Sequence, residues 1–234
     1  MEKQSLLKTL TQAGIGSRRK MSVAIKEGRV SINGEVVTGF NSPVTKGKDR
    51  IVLNGKQLDI KAKSFVCLKL NKPKGILSTT KDERGRRTII DILPRKYRHL
   101  YLYPVGRLDK NSTGLLLLTN NGDLAYRLTH PRFEKEKEYE VQIQCELNIN
   151  EIHRLEAGIK LEDGKTAPAT VKKLRDSDYN YAITIHEGRK HQVRRMFISI
   201  GHRVIKLKRV RIGNVKLGNL KEGQVKEVSR NLLE

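Results

Sequence analysis

Four consecutive leucines, Leu115 to Leu118, stand in a chain whose other β-favouring stretches carry polar residues at intervals. An apolar run of that kind, bounded by turn residues, belongs inside a core. "LLLLTNNGDLAYRLTHP" therefore reads as a buried strand, a tight turn and a short helix, with Asp123 as the helix cap and Pro131 just past its end. Directly ahead of the run is "YPVGRLDKNSTG", where Asp109 lies between Arg107 and Lys110. A carboxylate at the lip of a buried segment needs a reason, the more so in a chain with 48 Lys and Arg against 25 Asp and Glu.

That imbalance, a net charge of +23, concentrates polyanions at the surface and points to nucleic acid as the partner, without separating RNA from DNA. A membrane is disfavoured: no basic amphipathic helix carries an aromatic-rich face, and no apolar run approaches the length of a span. The opening "MEKQSLLKTLTQAG" lacks the apolar stretch of a secretory signal. Cys67 and Cys145 are isolated, with no Cys/His cluster at metal spacing, and read as reduced, structural thiols of a cytoplasmic protein without a metal site. There is no P-loop and no GxGxxG, so no cofactor is expected. Aromatic residues make up 5% and Trp is missing, which argues against a general single-strand binder built on stacking platforms.

With 37% hydrophobic residues, the 234-residue chain can bury one sizeable core and a smaller companion. Residues 1–60 read as the smaller unit. Leu6, Leu7, Leu10 and Ala13 recur at helical spacing after Ser5, with Gly14 as a stop. Ser17 caps a second helix carrying Met21, Ala24 and Ile25, ending at Gly28. "RVSINGEVV" and "RIVLNGKQL" each place Asn-Gly between β-favouring residues, a strong hairpin signal. Residues 61–64 read as a linker, and 65–234 as the larger unit.

In that larger unit "SFVCLKLNKPKG" reads as a strand ending in a Pro-Gly turn. "KEYEVQIQC" alternates, placing Lys137, Tyr139, Val141, Ile143 and Cys145 on one face. "YNYAITI" is a further strand. "RKHQVRRMFISIG" is a helix with Val193, Met196, Phe197 and Ile200 as its buried stripe and Gly201 as its stop. Strands outnumber helices without βαβ alternation, so the expected class is α+β, with helices flanking a mixed, mostly antiparallel sheet.

Two helices begin against the macrodipole. "SRRK" puts Arg18, Arg19 and Lys20 in one first turn, and "RKHQVRR" puts Arg189, Lys190, Arg194 and Arg195 in the first turns of another. Each cation costs a few tenths of a kcal/mol at a helix N-terminus, unless an anion such as phosphate is bound there. A solvated helix end is the plain alternative for "SRRK". For the second helix the anion reading is stronger: residues 186–211 hold nine Lys or Arg against one acid, Glu187.

"GRLDKNSTGLLLLTNNGDLAYRL", "KEYEV" and "EGRKHQVRRMF" resemble, in that order, the three sequence blocks of bacterial ribosomal-RNA pseudouridine synthases. "LLKTLTQAGIGSRRKMSVAIKEGRVSINGEVV" resembles the RNA-binding domain named after small-subunit ribosomal protein four. Together the resemblances run from about Leu6 to Val228, and the opening is more similar to the large-subunit members. Ser112 stands where threonine is more usual, and Asn121 where aspartate is often found.

The resemblance implies a site-specific isomerase that detaches uracil from ribose, rotates it and rejoins it through carbon, on ribosomal RNA of 23S type, with 16S as the alternative. It implies Asp109 as nucleophile, Arg194 as the cation that pairs with it, and Tyr139 as the platform for the flipped base and an aid to proton transfer. Arg107 would hold the backbone or fill the vacated stack, and Lys137, Arg189, Lys190 and Arg195 would bind substrate. Ser17, Arg18, Arg19, Lys20 and Arg29 would carry RNA binding by the first unit. A monomer is expected. Taken without the resemblance, Asp109 reads first as a turn aspartate in a structural ion pair, and Tyr139 as core. His191 reads as a helix-start residue without a chemical role.

Overall fold

The computed structural model describes residues 3–60 and 64–233, so the linker expected at 61–64 lies outside them except for Ser64. The chain divides between Phe65 and Val66 into two compact units.

In the first unit, the helices Leu6–Gln12 and Arg18–Lys26 bury Leu6, Leu7, Leu10, Met21, Ala24 and Ile25 against Val30, Val44 and Ile51. Ser17 caps the second helix, its Oγ accepting from Lys20 N at 3.3 Å. Both Asn-Gly pairs turn hairpins with positive φ at each residue, Asn33 at 53° and Gly34 at 94°, Asn54 at 49° and Gly55 at 77°. That is the turn geometry whose twist matches the flanking strands. The four strands lie antiparallel in the order Glu35–Val36, Val30–Ile32, Ile51–Leu53, Lys56–Gln57. A pairing not anticipated from the pattern joins Lys3–Ser5 to Pro43–Thr45.

The second unit is a large mixed sheet with flanking helices. Its main path runs Thr170–Lys173, Tyr181–Ile185, Lys137–Gln142, Lys206–Ile212, Thr113–Thr119, Cys67–Lys72, Val225–Glu227. Tyr103–Val105 pairs with Thr113–Thr119, and Val215–Lys216 with Lys206–Ile212. One pairing is parallel, Lys206–Ile212 against Thr113–Thr119, and it sets Arg209 opposite Gly114. Gly114 has φ +97°, and a Cβ there would fall against the Arg209 backbone. Glycine is thus required for this close approach. The leucine run is fully buried, as its composition demands.

Three local expectations change. Asn121, not Asp123, caps the Gly122–Thr129 helix: its Oδ1 accepts from Leu124 N at 2.9 Å, whereas Asp123 already lies inside the first turn. Cys145 lies beyond the end of the Lys137–Gln142 strand and is exposed, since alternation lasts only as long as the strand. The last helix is Gln192–Ser199, so Arg189 and Lys190 precede it. Its buried stripe of Val193, Met196 and Phe197 is as expected, with Ile200 at the C-cap.

Candidate active site

Asp109 lies in the loop between the Tyr103–Val105 and Thr113–Thr119 strands, where Gly106 (φ +71°) turns the chain. Short bonds pin this loop from below. Leu108 N donates to Ser78 Oγ (3.1 Å), Ser78 Oγ donates to Leu108 O (2.8 Å), and Gly75 N donates to Lys110 O (2.8 Å). The backbone is therefore held while the Asp109 side chain stays 36% exposed.

The partner of that carboxylate is His191, whose Nε2 lies 3.3 Å from Oδ1. His191 is held at φ +52°, a conformation that a non-glycine residue adopts at some strain. Arg194, expected to pair with Asp109, forms no ion pair with it. From the third position of its helix the guanidinium satisfies two carbonyls instead, Val204 O at 3.0 Å and Asn111 O at 3.5 Å. It clasps the loop two residues past Asp109 and so acts on the backbone that carries the acid.

Beneath the loop is a cation that sequence reading missed. Lys72 is fully buried, and its Nζ donates to Pro73 O and Ile76 O (2.9 Å each) and to Lys110 O (3.4 Å). Burial brings its pKa down to about 8, and the nearby charge of Asp109 partly opposes that fall. The signal was present: Leu68, Leu70 and Lys72 alternate along one strand face, which turns the lysine inward.

Asp109 and His191 line two cavities. The larger, about 930 Å³, is rimmed by cations including Lys74, Lys110, Arg194 and Arg203. The smaller, about 350 Å³, is bounded by Arg107, Lys137, Tyr139, Lys190 and Arg209. Among the described residues, Asp109 is the only acid on either wall. The smaller volume is within the usual range for a pocket that holds one small ligand.

Tyr139 sits at a break in the register between Lys137–Gln142 and Lys206–Ile212 and is buried. Its hydroxyl receives Arg209 Nη1 at 3.4 Å. Lys137 Nζ donates to the carbonyls of Lys135 and His186 at 3.2 Å and of Glu187 at 3.3 Å. Burial, and then the charge of Arg209, bring its pKa down to about 8.

The remaining cations divide. Arg107 and Lys190 are exposed at the cavity wall. Arg195 is gripped through both nitrogens by Asp163 (3.0 and 2.8 Å). Arg189 donates to Glu187 (2.9 Å) and to the carbonyls of Gly164 (2.9 Å) and Lys165 (2.7 Å). These two arginines, expected to bind substrate, are engaged with the protein itself, because the turn at 162–163, between the short strands Lys160–Leu161 and Gly164–Lys165, brings Asp163 to them. In the first unit Arg18, Arg19 and Lys20 are exposed, and Arg29 pairs with Glu27 at 2.8 Å.

A model of the RNA pseudouridylate synthase family matches residues 67–199, and an S4 domain model matches residues 4–51. The chain belongs to the RNA pseudouridylate synthase family. It is similar to the ribosomal large subunit pseudouridine synthase B of Bacillus subtilis (strain 168), 44% identical over 88% of this chain and 84% of the relative. It is also similar to the protein of the same name from Salmonella typhi, at 40% identity over 90% of this chain and 74% of the relative. A crystal structure of a pseudouridylate synthase has a TM-score of 0.69 at 32% identity, covering 98% of each chain.

Proposed function

We propose that this protein converts a specific uridine of large-subunit ribosomal RNA to pseudouridine, with Asp109 as the nucleophile. The supporting observation is the pinned Asp109 loop: a carboxylate, partly exposed, opens onto a pocket of apolar and polar residues whose other charged lining residues, among those described, are cations. A uridine stacked in folded RNA must be extruded before its glycosidic bond can be reached, at a cost of a few kcal/mol. The basic rim of the larger cavity would hold the flanking phosphates, and Arg107 would hold the opened strand. The extruded base would meet Tyr139 at the pocket wall, where stacking is worth roughly 1–3 kcal/mol.

Cations line both cavities that the acid faces. On this reading His191 pairs with Asp109 in the free protein, Lys72 supplies charge from below, and Arg194 fixes the loop. The first unit would add phosphate contacts through Ser17, Arg18, Arg19, Lys20 and Arg29, and the protein would act in the cytoplasm as a monomer. Large-subunit RNA is preferred to small-subunit RNA because the named relatives above carry that designation. A non-catalytic assembly factor is the weaker reading, since Asp109 and Tyr139 meet at one pocket.

Asp109→Asn should abolish isomerisation and leave RNA affinity within a few-fold of the parent. The assay is carbodiimide-dependent reverse-transcriptase stops on ribosomal RNA treated with each protein. Full conversion by the variant would remove Asp109 from the reaction. Mapping pseudouridines in cells with and without the protein identifies the target.

A further inference from the structure

Arg209 is 3% exposed, yet among the described residues no carboxylate lies within ion-pair distance of it. Its Nε donates to Leu115 O at 2.8 Å and its Nη1 to Tyr139 Oη at 3.4 Å, while Nη2 is buried with no partner. Ser112 Oγ, fully buried in the same cavity wall, is also without one. Lys137 adds a second cation beside Arg209. A buried guanidinium left with neither counter-charge nor full hydrogen bonding is costly, so a partner of matching chemistry is called for. Folding does not supply it.

We infer that Arg209 is a substrate-contacting residue whose free Nη2–H donates to a carbonyl oxygen of the detached uracil while that base is an anion. The inference rests on the isomerase reading above. Detachment breaks the N1–C1′ bond and leaves both electrons on the base, while an Asp109 oxygen takes C1′. The charge spreads from N1 onto the carbonyl oxygens. Reattachment forms C5–C1′ and frees the carboxylate, after which the C5 proton leaves and N1 takes one up. A donor that finds its full partner only in the charged intermediate speeds the step, because it binds that state more tightly than the ground state. The Leu115 and Tyr139 contacts hold the guanidinium through Nε and Nη1, which leaves Nη2 as the end of the fork without a partner.

Binding of two mononucleotides to the full chain tests this without turnover, by calorimetry or ligand-observed NMR. Uridine 5′-monophosphate has a neutral ring at pH 7, and the barbituric acid ribonucleoside 5′-monophosphate has an anionic ring of the same outline. The parent should prefer the barbiturate at least ten-fold. Arg209→Met should remove that preference, and Arg209→Lys, which keeps the charge without the fork, should keep part of it. Thermal melts verify folding, because Arg209 also secures Leu115 O; should the Met variant fail to fold, a three-fold fall in the Lys variant decides. Lys160→Gln/Lys172→Gln, at exposed positions away from the cavity, should leave the preference intact. No preference in the parent, or an equal fall in the Lys160/Lys172 variant, overturns the proposal. So does a preference that survives Arg209→Met. An inactive Asp109→Asn with normal barbiturate preference supports both readings, whereas an active one with that preference intact removes the nucleophile and leaves Arg209 standing.

Discussion

Two helices in this molecule begin with the same unfavourable sign of charge, and they resolve it in opposite ways. At Arg18–Lys26 the cations Arg18, Arg19 and Lys20 stay exposed, and the first turn is completed by the Ser17 hydroxyl. At Gln192–Ser199 there is no side-chain cap, His191 is strained at φ +52°, and Arg195 is held by Asp163. The first arrangement leaves its charge available to a mobile polyanion. The second ties most of its charge to carboxylates and carbonyls of the protein itself. The lesson is that a run of basic residues describes a potential, while the acids brought near it by the fold decide whether that potential reaches outward.

The comparison breaks most visibly in RNA binding. Replacing Arg18, Arg19 and Lys20 together by Gln should weaken binding to ribosomal RNA by about 10- to 100-fold at 0.1 M salt, and reduce the salt slope by about 2–3, since each phosphate contact contributes about 0.7–0.9. The melting temperature should not fall. Filter binding from 50 to 300 mM salt measures both, and an unchanged slope would mean that these side chains do not meet the backbone.

Arg195→Gln should do the reverse, lowering the melting temperature by a few degrees and leaving RNA affinity within three-fold. The pH dependence sharpens this case. Donation from Arg195 holds the Asp163 carboxyl below the usual range, with Arg189 adding to it. A depressed carboxylate contributes stability above its unfolded pKa of about 3.9 and loses it as pH falls through the folded value. The variant's deficit should therefore be constant from pH 5 to 8, begin to shrink as pH falls past about 4, and vanish only below the lowered pKa that Asp163 has in the folded protein. A deficit that persists in acid would point to packing of the arginine stem.

Ser17→Ala should cost about 1 kcal/mol in denaturant unfolding, the usual loss for a helix cap. His191→Gly should have the smallest effect and the opposite sign, stabilising by about 0.5–1 kcal/mol through relief of the left-handed backbone, while activity falls with the loss of the Asp109 contact. A stabilised variant at full activity would reduce His191 to a structural turn.

Much of the architecture was legible because it is written in short-range chemistry. Asn33-Gly34 and Asn54-Gly55 turn as their backbone preferences require. The stripe of Val193, Met196 and Phe197 and the leucine run bury as their periodicity demands. Asn121 displaced Asp123 as cap because a shift of two residues is invisible to composition but decisive for reaching a backbone N–H.

The site was half legible. Asp109 and Tyr139, far apart in the sequence, line one pocket. Arg194 was misread in detail because its position on the helix flank fixes a direction, whereas the nearest unsatisfied carbonyls fix the contact. Lys72 was signalled only by its alternation with Leu68 and Leu70, whereas Arg209 looks like an ordinary member of a basic chain until its burial is seen.

Taken alone, the order of residues determined the most strongly patterned strands and helices, the Asn-Gly turns, which side chains are apolar enough to be buried, and how strongly the whole attracts an anion. Those follow from backbone preference, periodicity and total charge, which need no knowledge of distant neighbours. The folded arrangement decided which cations are paired, which are buried, and which meet Asp109. Dielectric surroundings and partner distances arise only when the Lys206–Ile212 strand is laid beside Gly114 and the Asp163 turn beside Arg195.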